Sequence, residues 1–143
     1  MATISRSSIS FAAAAAWIAP AAAIVGLAGA YPAWLHAGAR GLLAEAVCGA
    51  TVLAVMLASA AVTVRYASRG AAAAAYAFAL AGIARVAACV GLLAGAWKLF
   101  DLPLTAMLLW LAAFYVALLA VESFWLHRAL ARMAQNRQKT VNA

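Results

Sequence analysis

The chain has 143 residues, 70% of them hydrophobic and 9% charged, with a formal net charge of +7. A water-soluble domain of this size cannot cover so much apolar side chain, so the composition excludes a soluble enzyme and makes lipid the expected solvent. Backbone groups in hydrocarbon must be satisfied inside helices, which predicts an all-α, polytopic membrane protein.

Four apolar segments are each long enough to cross about 30 Å of hydrocarbon at about 1.5 Å per residue. They span residues 11–30, 42–64, 72–96 and 104–126, and nothing between them can fold alone, so residues 1–143 form a single membrane domain. The first is dominated by alanine, at 12–16 and 21–23. Pro20 predicts a kink in it, because membrane helices tolerate proline when neighbours satisfy the freed carbonyl. Tyr31-Pro32 is expected to close it, since proline cannot continue a hydrogen-bonded helix interior. Ala28-Gly29-Ala30 has the form of a signal-peptide cleavage site, but the apolar stretch exceeds the usual length of about 7–15 residues, which favours a retained span.

The second segment places Gly41, Glu45 and Gly49 on one helical face, and Arg65, Ser68, Arg69 and Gly70 mark the turn after it. The third carries Gly82, then Arg85 near its midpoint, then Gly91 and Gly95 in a GxxxG pattern. Small residues of this kind let helices approach closely in lipid, so Gly41, Gly49, Gly82, Gly91 and Gly95 are the candidate packing positions, within the chain or between copies of it. Lys98, Asp101 and Pro103 mark the next turn, and the fourth segment contains Tyr115 and Glu122. Trp34 and Trp97 on one side, and Tyr66 and Trp125 on the other, sit where aromatic residues favour the membrane interface.

The flanking charges predict orientation. Arg6, Arg65, Arg69, Arg128, Arg132, Arg137 and Lys139 share one side, against Arg40 and Lys98 on the other, which places both termini in the cytoplasm. Topology therefore accounts for the positive charge, and nucleic-acid binding is not needed to explain it. Arg128, Arg132, Arg137 and Lys139 in the basic tail, residues 127–143, would meet anionic lipid headgroups, each worth about 1 kcal/mol near such a surface.

Arg85 is the informative residue. A base near the bilayer midplane costs roughly 2.5 kcal/mol on insertion scales, so it faces protein or water. With the segment bounds above, Glu45 and Glu122 each stand about 12–14 Å from Arg85 along the membrane normal. A direct salt bridge is therefore not the expectation. Tyr115, at the depth of Arg85, backbone carbonyls or water can satisfy the guanidinium, as can a partner protein or a transport pathway. The shallower Glu45 and Glu122 are expected to be carboxylates hydrated at the membrane edges. The candidate partner-binding set is thus Arg85, Tyr115, Glu45 and Glu122.

Other chemistry is unsupported. Cys48 and Cys89 lie inside apolar segments with no CxxC or Cys/His spacing. His36 and His127 fall at opposite faces and cannot share a haem iron. No nucleophile-elbow, zinc-protease, phosphate-loop or calcium-loop pattern occurs. No catalytic residue, metal site or cofactor is expected, and the chain does not read as an enzyme.

Residues 72–126 resemble the ATP synthase I family, small four-helix membrane proteins encoded beside the subunits of bacterial F-type ATP synthase. The resemblance rests on Gly82-Ile83-Ala84-Arg85-Val86, the apolar run 87–96, Leu102-Pro103-Leu104 and the final apolar helix from Met107 to Val121. This chain departs from the family in having Ile83 after Gly82 where a glutamate is common, and Arg85 where lysine is common. The resemblance implies a non-enzymatic accessory protein of the bacterial cytoplasmic (inner) membrane that assists assembly of the rotor ring from c subunits. Arg85 would then meet the midplane carboxylate of a c subunit. Alternatives from other classes are a small oligomeric transporter or channel, with Glu45, Arg85, Tyr115 and Glu122 along a polar route, and a structural subunit of another membrane complex.

Overall fold

The computed structural model describes residues 10–141. These residues form three α-helices and no strand: α1 (Phe11–Ala67), α2 (Ala71–Phe100) and α3 (Leu104–Val141). All three are long and apolar enough to cross a membrane, as expected of a membrane protein. Their outer surfaces agree, since Leu27, Ile83 and Leu99 point away from the bundle where a soluble protein would place polar groups.

The caps explain where the helices begin and end. Ser10 precedes α1 and its hydroxyl accepts from the Ala13 N–H at 3.2 Å, satisfying one of the free donors of the first turn. At the other end Ser68 Oγ donates to the Arg65 carbonyl at 2.8 Å, and Gly70, at φ +124°, turns the chain into α2. α2 stops at Asp101, which adopts a left-handed φ of +47° and donates its N–H to the Trp97 carbonyl at 3.0 Å. Pro103 follows, and its carbonyl accepts from Met107 N–H at 3.1 Å in the first turn of α3.

α1 has 57 residues, and a straight helix of that length would run about 85 Å, far beyond a bilayer core of about 30 Å. It is not straight. Ala37 (φ −148°, ψ 21°) and Gly38 (φ +56°, ψ −137°) leave helical geometry, and the two arms, 11–36 and 39–67, fold against each other. A side chain on Gly41 would strike the Ala33 backbone carbonyl, and one on Gly29 would strike the Glu45 carboxyl group. Such contacts between distant positions require an antiparallel hairpin. The expected stop at Tyr31-Pro32 is therefore corrected. Proline's fixed φ near −65° is helical and one lost hydrogen bond is tolerated, so the helix passes through both Pro20 and Pro32. The chain reverses at Gly38 because only glycine takes that backbone conformation at low cost.

α1 packs against both other helices, whereas α2 and α3 touch each other least. The buried core joins Ile18 and Ala33 of the first arm, Cys48, Val52 and Met56 of the second, and Met107, Phe114 and Leu118 of α3. Gly26 and Gly49 both approach the Phe114 ring, so one aromatic side chain is gripped by both arms of α1. Cys48 and Cys89 are buried and free, and Cys48 Sγ donates to the Met107 carbonyl at 3.3 Å. Of the five glycines expected at packing contacts, Gly41 and Gly49 are tightly enclosed. Gly82, Gly91 and Gly95 have nothing within 4 Å, so the α2 glycines stand outside the packing within the chain.

Candidate functional site

The site is built around Arg85, which is 2% exposed. Its Nη1 donates to Glu122 Oε2 at 2.6 Å and its Nη2 to Glu122 Oε1 at 3.1 Å, a fork-to-fork ion pair between α2 and α3. Nε donates to Ser59 Oγ at 2.6 Å, and Nη1 also lies 3.7 Å from Met56 Sδ, both on the second arm of α1. Thr63, one turn on, donates its hydroxyl to the Ser59 carbonyl at 3.1 Å. The guanidinium carbon stands 4.7 Å from the centroid of the Phe78 ring on α2 itself, a cation–π distance. Three elements thus converge on one base.

This geometry corrects the expectation that Glu122 is a carboxylate hydrated at the membrane edge, with a direct salt bridge to Arg85 not the default. Glu122 is 1% exposed and fully engaged by the guanidinium. α2 runs on to Phe100 and not to residue 96, so its end lies directly against the short turn into α3. Arg85 lies fifteen positions before Phe100 and Glu122 eighteen positions after Leu104, a difference of level of only about 5 Å at 1.5 Å per residue. Helical side chains lean toward the N-terminus of their own helix. Arg85 accordingly reaches back along α2 as far as Phe78, and Glu122 leans in the opposite sense on the antiparallel α3. The two side chains close the remaining offset between them.

An open groove of about 510 Å³ runs between α2 and the second arm of α1. Ala77, Ala81, Ala84 and Ala88 form its α2 wall, and Val55, Ala58 and Val62 its α1 wall. Arg85 and Ser59 line it at depth, while Tyr66 and Tyr76 lie toward the turn at 68–70. Arg69 stacks on Tyr66 at 5.0 Å, putting a positive charge at that end. Of the five guanidinium hydrogens, three donate to Ser59 and Glu122 and a fourth faces Met56. One, on Nη2, has no acceptor among the described residues.

The other candidates lie elsewhere. Tyr115 is half-buried against the core and is not among the hydrogen-bond partners of Arg85. Glu45 sits near the break in α1, 4% exposed, beside Gly29 of the first arm and near the α3 residue Trp110, so it is not the hydrated interfacial carboxylate expected. Arg128 and Arg132 lie on the continuation of α3, Arg128 stacked on Phe124 at 4.9 Å. Arg6 and the side chains of Arg137 and Lys139 lie outside the described residues. Among the described residues no group of His, Cys, Asp or Glu side chains has a metal-binding arrangement.

Ser59, Met56 and Phe78 were not singled out by sequence reasoning. The available signal was Ser59 and Thr63 one turn apart in an otherwise apolar helix, a polar stripe that needed a reason. Gly29 was noticed only as part of a cleavage-site pattern, whereas it sits inside a helix against Glu45.

No protein-family model, curated protein or solved structure matches this chain.

Proposed function

We propose that this chain is a non-enzymatic accessory protein of the bacterial cytoplasmic membrane that assists assembly of the c ring of F-type ATP synthase. The two arms of α1 together with α2 and α3 make four crossings, with both termini on the cytoplasmic side, in keeping with the charges at Arg65, Arg69, Arg128 and Arg132. The Gly82–Arg85 and Leu102-Pro103-Leu104 resemblance described above supports the choice of partner.

The observation that carries the proposal is the groove reaching Arg85. Its α2 wall is a stripe of alanines, the surface that lets another helix approach closely in lipid. Its depth holds a guanidinium with one N–H that has no acceptor among the described residues. A c-subunit helix seated there would bring its carboxylate to that donor and compete with Glu122 for the fork. Arg85 is thus held in place before the partner arrives, which lowers the ordering cost of capture.

The test is co-purification from native membranes in mild detergent, with partners identified by mass spectrometry. Wild type is expected to recover c subunits in stoichiometric amount, and Arg85→Ala to recover at most a tenth as many. If wild type is isolated alone or only with copies of itself, the proposal fails, and flux measurements in liposomes become the relevant experiment.

A further inference from the structure

The groove beside Arg85 has a body and a mouth of different chemistry. Its walls run from Tyr76 to Ala88 on α2 and from Val55 to Tyr66 on α1. At 1.5 Å per residue that is about 16–18 Å, close to half of a hydrocarbon core of about 30 Å. The groove is therefore about one leaflet long. Below the two tyrosines its lining is alanine, valine and leucine, with Ser59 and Arg85 at depth. Glu122 already answers the charge of Arg85, so the body of the groove suits hydrocarbon.

The mouth is basic. Tyr66 and Tyr76 are exposed there, and Arg69 stacks on Tyr66. Arg65, on the last turn of α1, is exposed one turn before Arg69. α2 starts at this end without a side-chain cap, which leaves the free N–H groups of its first turn and the positive end of its dipole close to Arg69. The acidic side chains of the chain are Glu45, Asp101 and Glu122, and all three lie elsewhere. Asp101 closes the far end of α2, Glu122 is held by Arg85, and Glu45 lies beside Gly29 and Trp110. Arg65 and Arg69 thus form no ion pair among the described residues.

An occupant complementary to this surface carries an anionic head rich in hydrogen-bond acceptors and an apolar body one leaflet long. Basic pockets between membrane helices hold phospholipid headgroups by this chemistry. We propose that the groove binds one anionic phospholipid. Its phosphate sits among Arg69, Arg65 and the hydroxyls of Tyr66 and Tyr76, and one acyl chain lies along the alanine wall toward Arg85. Lipid tails gain little by exchanging one apolar neighbour for another, so selectivity resides in the headgroup. The lipid site does not rest on the assembly reading, although a helix docking on the same wall would displace the acyl chain.

The test titrates the full-length protein, in an uncharged detergent, with phosphatidylglycerol or with phosphatidylcholine of the same chains, and counts retained lipid by native mass spectrometry. One phosphatidylglycerol per chain is expected, bound at least about tenfold more tightly than phosphatidylcholine. Arg69→Gln, on an exposed turn, should weaken phosphatidylglycerol about fivefold and leave phosphatidylcholine unchanged. Ala81→Phe should weaken both lipids, and Arg40→Gln, an equal loss of charge at the other end of the bundle, neither. Equal affinity for the two lipids overturns the proposal. So does a loss in Arg128→Gln without one in Arg69→Gln, which would move the headgroup to the basic tail. Displacement of the lipid by an equal concentration of glycerol phosphate would reveal a plain anion site, and dimers that retain no lipid until Ala81→Phe splits them would reveal a second copy in the groove; either result also overturns it.

Discussion

Arg85 and Glu122 lie 37 positions apart and meet through two parallel N–H···O bonds of 2.6 and 3.1 Å. They join α2 to α3, the two helices with the least mutual contact. Removing one partner strands a charge in a dry interior, which typically costs about 3–5 kcal/mol, while replacing both by apolar side chains is often close to neutral. Arg85→Ala and Glu122→Ala should each lower stability by about that amount. The double variant Arg85→Met/Glu122→Leu should recover most of the loss. Denaturant titration followed by circular dichroism in one detergent checks all three, and a double variant as unstable as the singles would rule out charge stranding as the cause.

Ser59 holds the guanidinium from the side of α1, through a 2.6 Å bond to Nε. A hydrogen bond to a charged group contributes about 1.5–3 kcal/mol. Ser59→Ala should cost about that much, and Ser59→Thr should restore a good part of it by keeping a hydroxyl. Equal losses in both would show that steric fit and not the hydroxyl matters there.

The reversal in α1 depends on the backbone of Gly38, since a Cβ there would meet no atom within 4 Å. Gly38→Ala is therefore a pure conformational test, expected to cost about 1–3 kcal/mol for a positive φ in a sparsely populated region. Gly91→Ala, equally open but in regular helix, should not destabilise and should gain about 0.5–1 kcal/mol. Thermal melts of the two side by side separate backbone strain from packing.

Gly29 is the opposite case. An added Cβ would fall 2.6 Å from the Trp110 ring as well as on the Glu45 carboxyl. Gly29→Ala should overpack the hairpin by about 1–3 kcal/mol. Combining it with Trp110→Leu should relieve part of that penalty, which a double-mutant cycle would register as coupling.

For the groove, Ala81→Phe fills the α2 wall without touching the ion pair. Its melting temperature should stay within a few degrees of wild type, as for a lipid-facing substitution. Recovery of c subunits should fall at least tenfold. Undiminished recovery would move the partner surface away from this groove.

The apolar segments, the turns at Ser68–Gly70 and Asp101–Pro103, and the singular position of Arg85 were all legible in the sequence, because each is marked by residue types with strong local meaning. The partner of Arg85 was not. It depended on α2 reaching Phe100, four residues beyond the expected end, and on the opposite lean of two side chains, neither of which leaves a mark in hydropathy. That the α2 glycines take no part in packing within the chain was not legible either, for a different reason. Alanine surrounds every helix, so nothing in the pattern shows which face of Gly91 and Gly95 meets protein. Pro32 misled because proline is a strong breaker in water and a mild one inside a bundle.

The sparse contact between α2 and α3 has a consequence for how the molecule depends on its surroundings. Opposite charges 4 Å apart attract by roughly 1 kcal/mol in bulk water and about four times that at an effective dielectric of 20. The clasp between these helices is thus only as strong as the medium around it is dry. A wetter micelle should therefore loosen α2 from α3 first, while each keeps its packing against α1.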